Sequence, residues 1–388
     1  MEENAPPPAT PPLSTPPPPP PVTPPPVIGP ALTPRAPRRG RGWMVFAIIL
    51  LLLLGISVLF NITSLVGSAF RGKSTRYYAR VAGPKLDEIV REDNGAADKI
   101  AVIEVNGIIT DGMIDQSGFN MVDVIRAQLK RAEEDDRVKA VVLKVDSPGG
   151  EVMAADQIHN DIVNFQSHSH KPVIASMGSL AASGGYYISA PCRWIIANDL
   201  TITGSIGVIM SSWNYRGLMD KVGVLPQTYK SGKFKDMLSG SREPDSITPE
   251  EKQMVQKLID ETFAKFKQVV SEGREKAYEK NKNGKEKGRE LASEWEQYAD
   301  GRVLSGTEAC KLGFVDELGG FDDALKRCQA LTGISGANVI EYQQRYDLSD
   351  FFRLFGKTDS KAVKVDLGMD MPKLQAGHLY FLSPTLLH

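Results

Sequence analysis

The sequence predicts an α/β fold of stacked, partly parallel strands between about residues 98 and 350, and three observations predict it. A strand, a glycine turn and a helix follow one another twice, as VKAVVLKVDSPGG into EVMAADQIHNDIVNF and as KPVIASMGSL into AASGGYYISA. The strands are short apolar runs rich in Val and Ile, bounded by glycine turns. The intervening helices carry apolar residues at helical spacing, the grammar of an α/β fold.

In chain order, KIAVIEVNGII is apolar and β-branched and reads as a strand or strand pair ending near Gly107. MVDVIRAQLKRAEED has one apolar face and reads as a helix. VKAVVLKVDS is a strand that runs into Pro148-Gly149-Gly150. The next helix places Val152, Ala155, Ile158, Ile162 and Phe165 near one face. KPVIASMGSL is again a strand, AASGGYYISA opens a helix, RWIIAN is a further strand, and TITGSIGVIM is an apolar run with glycines. TPEEKQMVQKLIDETFAKFKQVV is an amphipathic helix with Thr248 as N-cap, Pro249 at its first position and Glu251 completing a capping box. REKAYEKNKNGKEKGRE, residues 274–290, sets seven basic residues against four glutamates. It can attract anionic headgroups, but the interspersed signs predict a solvated helix and loop.

The N-terminal part is of another kind. Seventeen of the 26 prolines fall between Pro6 and Pro37. Proline fixes φ and removes the amide donor, so residues 1–42 form no core and sample extended polyproline II, as a stiff leader or an SH3-type ligand. From Trp43 to Phe60 there are 18 uncharged residues. At about 1.5 Å per residue a helix of that length spans about 27 Å, close to a bilayer's hydrocarbon core. A cleaved signal sequence is the alternative, with Gly67-Ser68-Ala69 as a weak cleavage site. An apolar run this long behind so long a polar leader favours an uncleaved anchor, assigned to 43–63. Arg35, Arg38, Arg39 and Arg41 precede the span, and Arg71, Lys73, Arg76 and Arg80 follow it at a greater distance. The positive-inside rule then puts the N-terminus in the cytoplasm and the rest outside. Residues 64–97 are a juxtamembrane linker, 98–350 the folded domain and 351–388 a C-terminal tail, whose LYFLSPTLL can dock in an apolar groove.

The formal net charge of -1 gives no basic bias towards nucleic acid. Cys192, Cys310 and Cys328 have no metal-ligand spacing, and three cysteines make no disulfide framework. They read as buried or idle thiols, and no cofactor is expected.

The chemistry lies in the two glycine turns, SPGG at 147–150 and ASGG at 182–185. Amides at a helix start are unpaired and favour negative charge. If the turns lie side by side, the amides of Gly150 and Gly184 converge on a tetrahedral oxyanion beside the Ser183 hydroxyl. A serine nucleophile needs a base, and no histidine is well placed: His159, His168 and His170 sit in or after the preceding helix, and His378 and His388 lie in the tail. Ser–Lys pairs are an alternative, provided the amine is neutral, and QTYKSGKFKDMLSGSREP offers Lys230, Lys233 and Lys235. Spacing does not separate the three; Lys235, near Phe234, Met237 and Leu238, has the most apolar neighbours.

SLAASGGYYISA, TITGSIGVI and YKSGKFKD, with VDSPGG and ADGRVLSGTEACKLGFVDELGG, closely resemble the signal-peptide peptidase A family over about residues 98–350. The resemblance implies a Clp protease/crotonase-like fold and a membrane-anchored serine endopeptidase of the half-length bacterial type. By position, Ser183 matches the nucleophile, Lys235 the general base, Ser205 the hydroxyl that orients the lysine, and the amides of Gly150 and Gly184 the oxyanion donors. It further implies a homo-oligomeric ring with sites shared between protomers, the bacterial inner membrane as location, and apolar peptides such as remnant signal peptides as substrates. Cys192 and Arg193 depart from the pattern, which has a small residue and an acid there. The rival readings are an acyl-CoA enzyme on the crotonase-like fold and a non-catalytic membrane scaffold.

Overall fold

The computed structural model describes residues 46–55, 57, 83–112, 119–285 and 287–344, together with the backbone of 380–382. The chain divides into two units, Met1–Tyr77 and Tyr78–His388. In the first, residues 46–55 form a helix (α1). The remainder of the expected 43–63 anchor lies, apart from Ser57, outside the described residues, as does the whole proline-rich leader. Among the described residues no helix is long and apolar enough to cross a membrane.

The second unit is built on one sheet of nine strands. Its path is β1 (Leu86–Glu92), β10 (Asn338–Gln344), β2 (Lys99–Asn106), β3 (Val138–Ser147), β5 (Val173–Ala182), β6 (Trp194–Ala197) and β9 (Glu317–Leu318). All neighbours from β10 to β9 are parallel, and β1 closes one edge antiparallel. β5 is long enough for two jobs. Its first half pairs with β6, and Leu180–Ala182 pairs with β7 (Ile202–Gly204), which in turn takes β8 (Val303–Ser305).

Alternation along the strands builds two cores, because successive side chains point to opposite faces. Ala101, Ile103 and Val105 of β2 and Val141, Leu143 and Val145 of β3 join one cluster. It includes Ile125 and Leu129 of α2 (Met121–Glu134), Ile158, Ile162 and Phe165 of α3 (Val152–Ser169) and Phe266 of α6 (Pro249–Asn281). Ile100, Val102, Ala140, Val142, Ile174 and Ile196 face the other way, onto Ala324 and Cys328 of α8 (Phe321–Thr332). Both faces are covered, so the strands read as near-continuous apolar runs. Four shorter elements complete the set: β4 (Gly149–Glu151), α4 (Gly184–Ser189), α5 (Arg216–Lys221) and α7 (Gly306–Lys311). β11 (Tyr380–Leu382) pairs antiparallel with β4.

The expected capping box is present. Thr248 Oγ1 accepts from the Glu251 amide, and Glu251 accepts from the Thr248 amide. α6 runs on to Asn281, and the charged side chains described in 274–290 are exposed on a helix and loop, with Arg274 as the exception. Arg274 is fully buried and forms an ion pair with Asp316, whose carboxylate also accepts from the amides of Ile195 (2.8 Å) and Arg289 (3.0 Å). Arg274 also donates to the carbonyl of Cys192 at 3.1 Å. Arg193 donates to the side chain of Asn281 and to the carbonyl of Lys280. The unexpected Cys192-Arg193 pair is therefore where the C-terminal part of α6 is fastened to β6. Cys192, Cys310 and Cys328 are free and buried, and burial pushes the Cys192 thiol up to about 12.

Candidate active site

The two glycine turns meet. β4 is held on one edge by Ile109, whose amide donates to Gly149 O (2.9 Å) and whose carbonyl accepts from Glu151 N (2.8 Å). Only glycine fits at 150, because a Cβ there would lie 1.9 Å from the Ile109 carbonyl oxygen. Since the groups of Gly149 and Glu151 face Ile109, the N–H and C=O of Gly150 face the opposite edge. Gly184 lies alongside: its Cβ would stand 3.0 Å from Gly149 Cα and 3.1 Å from Gly150 N. Small residues here are a steric requirement of two backbones in contact.

Ser183 sits at the junction of β5 and α4 with φ 54 and ψ -116, and it is 1% exposed. A positive φ at a serine costs about 1–3 kcal/mol, so the surroundings must enforce it. They do so from both sides: the Ser183 amide donates to Gly204 O at 2.9 Å, and its carbonyl accepts from Tyr187 N at 2.8 Å. Ser205 is its neighbour on the adjacent strand, directly after the register pair Ala182–Gly204. It too has positive φ (50) and is fixed by donation to Arg302 O at 2.7 Å. Sequence reasoning missed that clamp, although ADGRV stood out as a motif. Gly301, with φ +91, lets the clamp close, and Gly207 packs against its Cα.

Four of the five expected site residues, Gly150, Ser183, Gly184 and Ser205, are thus brought together, with the Gly150 amide beside the start of α4. Such an arrangement can hold a nucleophilic hydroxyl next to two amides for a developing oxyanion. Lys235 makes no contact with them: it is exposed, on a segment between β7 and α6, and forms no hydrogen bond or ion pair among the described residues. The other candidates are engaged: Lys230 pairs with Asp236 and Lys233 with Glu250, each at 2.6 Å. Both amines are thus held in ion pairs away from the Ser183 turn. The expected apolar surroundings of Lys235 are not met on this segment, where its side chain is exposed. Trp213 is 84% and Tyr229 92% exposed there, and Leu218, Val222 and Leu225 are exposed too.

His159 is excluded as the base by its surroundings. Burial lowers it to about 4; it packs edge-on against Tyr187 with ring centroids 5.3 Å apart, and among the described residues Nδ1 has no hydrogen-bond partner. Tyr187, within α4, donates to Asp156 of α3 at 2.7 Å and ties the two helices together. Among the described residues no group of three His, Cys, Asp or Glu is arranged to hold a metal ion.

Fold and sequence together define a serine peptidase with a Clp protease-like α/β domain: residues 98–194 match the Clp protease profile. Residues 166–335 match Peptidase family S49, and the chain belongs to that family. A protein of Enterococcus faecium that bears the name signal peptide peptidase SppA is 35% identical over 263 residues, 67% of this chain and 71% of that protein. One from Synechocystis sp. that bears the name protease is 39% identical over 62% of this chain and 77% of its own. Protease 4 of Haemophilus influenzae is 33% identical over 62% of this chain, which spans only 36% of that longer protein.

Proposed function

We propose that the protein is a membrane-anchored serine endopeptidase that hydrolyses extended apolar peptides, including signal peptides left after release from preproteins. Ser183 attacks the scissile carbonyl, and its proton passes to a neutral Lys235 amine. The Ser205 hydroxyl orients that amine, and the amides of Gly150 and Gly184 receive the charge that develops on the carbonyl oxygen. The protonated lysine then returns the proton to the leaving amine, and water releases the acyl group by the same route. The observation that carries this reading is Ser183 held at positive φ beside a helix start that touches the Gly150 amide.

Lys235 comes from a neighbouring protomer in a homo-oligomeric ring. Its exposure, an amine that pairs with no group among the described residues and the apolar surface of its segment support this, since such a surface is costly to leave in water. Residues 43–63 anchor the ring in the bacterial inner membrane with the N-terminus in the cytoplasm and the catalytic domain outside. An acyl-CoA enzyme or a non-catalytic scaffold leaves Ser183 and Ser205 without reason for their enforced backbone.

The test is fluorophosphonate labelling and peptide hydrolysis by the assembled protein beside Ser183→Ala and Lys235→Ala variants. Each variant alone is inactive. Mixed and reassembled, the two recover part of the activity, because some interfaces join an intact serine to an intact lysine. Labelling that survives Ser183→Ala moves the nucleophile elsewhere. Mixtures that stay inactive, while each variant assembles normally, place both residues in one chain.

A further inference from the structure

We propose that Asp146, the acidic residue of VDSPGG, is a positioning residue for Ser183 that acts through a bulge in β5. β3 and β5 pair in parallel from Val141 with Val173 to Val145 with Met177, and again at Ser147 with Ala181. Between the last two pairs β3 has one residue, Asp146, and β5 has three, Gly178, Ser179 and Leu180. In unbroken register Ala181 would come level with Gly149. The two extra residues hold β5 back by about 6.6 Å, at about 3.3 Å per residue, so Ser183 arrives there instead. The approach of Gly184 to Gly149 Cα and Gly150 N follows from that shift. An even number of extra residues also keeps the alternation of faces, and Met177 and Ala181 both stay in the core shared with Val145.

The bulge is also where β5 exchanges one neighbour for another. Up to Met177 it pairs with β6, and from Leu180 it pairs with β7, the strand that ends beside Ser205. Bulges re-aim strands next to active sites, and the disrupted ladder needs other partners. Three side chains supply them. The Asp146 carboxylate accepts from the Leu180 amide at 3.0 Å. The Thr201 hydroxyl donates to Gly178 O at 2.8 Å, and the Thr203 hydroxyl donates to Ala181 O at 2.7 Å. Gly178 is tight against the same aspartate, since a Cβ there would stand 3.1 Å from Asp146 Cβ and Cγ. Both threonines are buried, whereas Asp146 is exposed and can be replaced without opening the core. Without its carboxylate the Leu180 amide has only water to bond, and the bulge relaxes along the strand, carrying Ser183 off the Gly149–Gly150 turn. A displacement of about 1 Å there is enough to cost about 10²-fold in rate.

The inference rests on the peptidase reading, and its test separates the two. Full-length Asp146→Ala and Asp146→Asn are compared with the parent in peptide hydrolysis, fluorophosphonate labelling and amide hydrogen exchange over residues 178–184. Asparagine keeps an oxygen acceptor where the carboxylate stood. Asp146→Ala is expected to lower kcat and the labelling rate by about tenfold to hundredfold, with KM and the melting temperature nearly unchanged. Its Leu180 and Ser183 amides exchange faster than those of the parent, because local opening no longer breaks the bond to Asp146. Asp146→Asn restores the rate, the labelling and the slow exchange. Parental kcat in Asp146→Ala, unchanged exchange at Ser183, or an asparagine variant as slow as the alanine one overturns the positioning role and leaves labelling of Ser183 untouched. Labelling that survives Ser183→Ala overturns the catalytic reading instead, and the exchange rates at Ser183 then decide on the bulge.

Discussion

Gly150→Ala probes the proposed site most directly. A Cβ at 150 would stand 1.9 Å from Ile109 O, 2.6 Å from Ile109 C and 2.7 Å from Ile109 N, all backbone atoms. Real Cβ contacts stay beyond 3.0 Å, so β4 must retreat by about 1 Å. That movement stretches the bonds from Ile109 N to Gly149 O (2.9 Å) and from Glu151 N to Ile109 O (2.8 Å). Two weakened buried bonds cost about 1–3 kcal/mol in stability. The functional cost is larger. Loss of one oxyanion donor lowers kcat about 10²–10³-fold, and a 1 Å misplacement alone can cost about 10²-fold. Gly217→Ala serves as control, because nothing lies within 4 Å of its Cβ. The assay is kcat on an apolar peptide per folded active site, with thermal melting alongside. If Gly150→Ala melts earlier yet keeps the parental kcat, Gly150 only admits close packing and its oxyanion role is refuted.

Arg274→Met leaves the Asp316 carboxylate buried without its cation and should destabilise by about 3–5 kcal/mol; urea melts measure it, and Arg274→Met with Asp316→Asn should recover part of the loss. His159, lowered to about 4 by burial, is neutral in the folded state at pH 5, where the unfolded chain binds a proton. Stability should therefore fall by about 2–3 kcal/mol between pH 7 and pH 4.5 and level off below pH 4. His159→Leu should flatten that part of the urea-midpoint profile, and an unchanged slope would contradict the assignment. Lys235→Ala should reduce hydrolysis by more than about hundredfold, whereas Lys230→Ala and Lys233→Ala should retain most of it. Because a lysine base works only as the neutral amine, the parental rate should climb towards mildly alkaline pH, and a flat profile from acid to alkaline argues against it.

The strands and helices of the domain were legible because both faces of the sheet are covered and the helices lie on its flanks. Period-2 and period-3.6 patterns then coincide with burial, as at Ile100 against Ala101 and at Ile158 with Ile162. The capping box at Thr248 was equally local. Arg274 was not legible: a charged run reads as solvated, and only the tertiary approach of Asp316 and the carbonyl of Cys192 makes a buried cation tolerable. Nor was the strand added by Tyr380–Leu382, since backbone pairing at a glycine edge leaves no side-chain pattern to read.

By itself the sequence determined the α/β class, the glycine turns, the candidate serine and the three candidate lysines, because each depends on residue type and short-range spacing. Tertiary structure decided that Gly150 and Gly184 touch, that Ser183 and Ser205 are both forced to positive φ on neighbouring strands, and that Lys230 and Lys233 are claimed by carboxylates. The reason is distance along the chain. The two lysine pairs are local, but the glycine and serine contacts join residues about 20 to 100 positions apart, and only the pairing of β5 with β7, of β7 with β8 and of β4 with Ile109 brings them within reach.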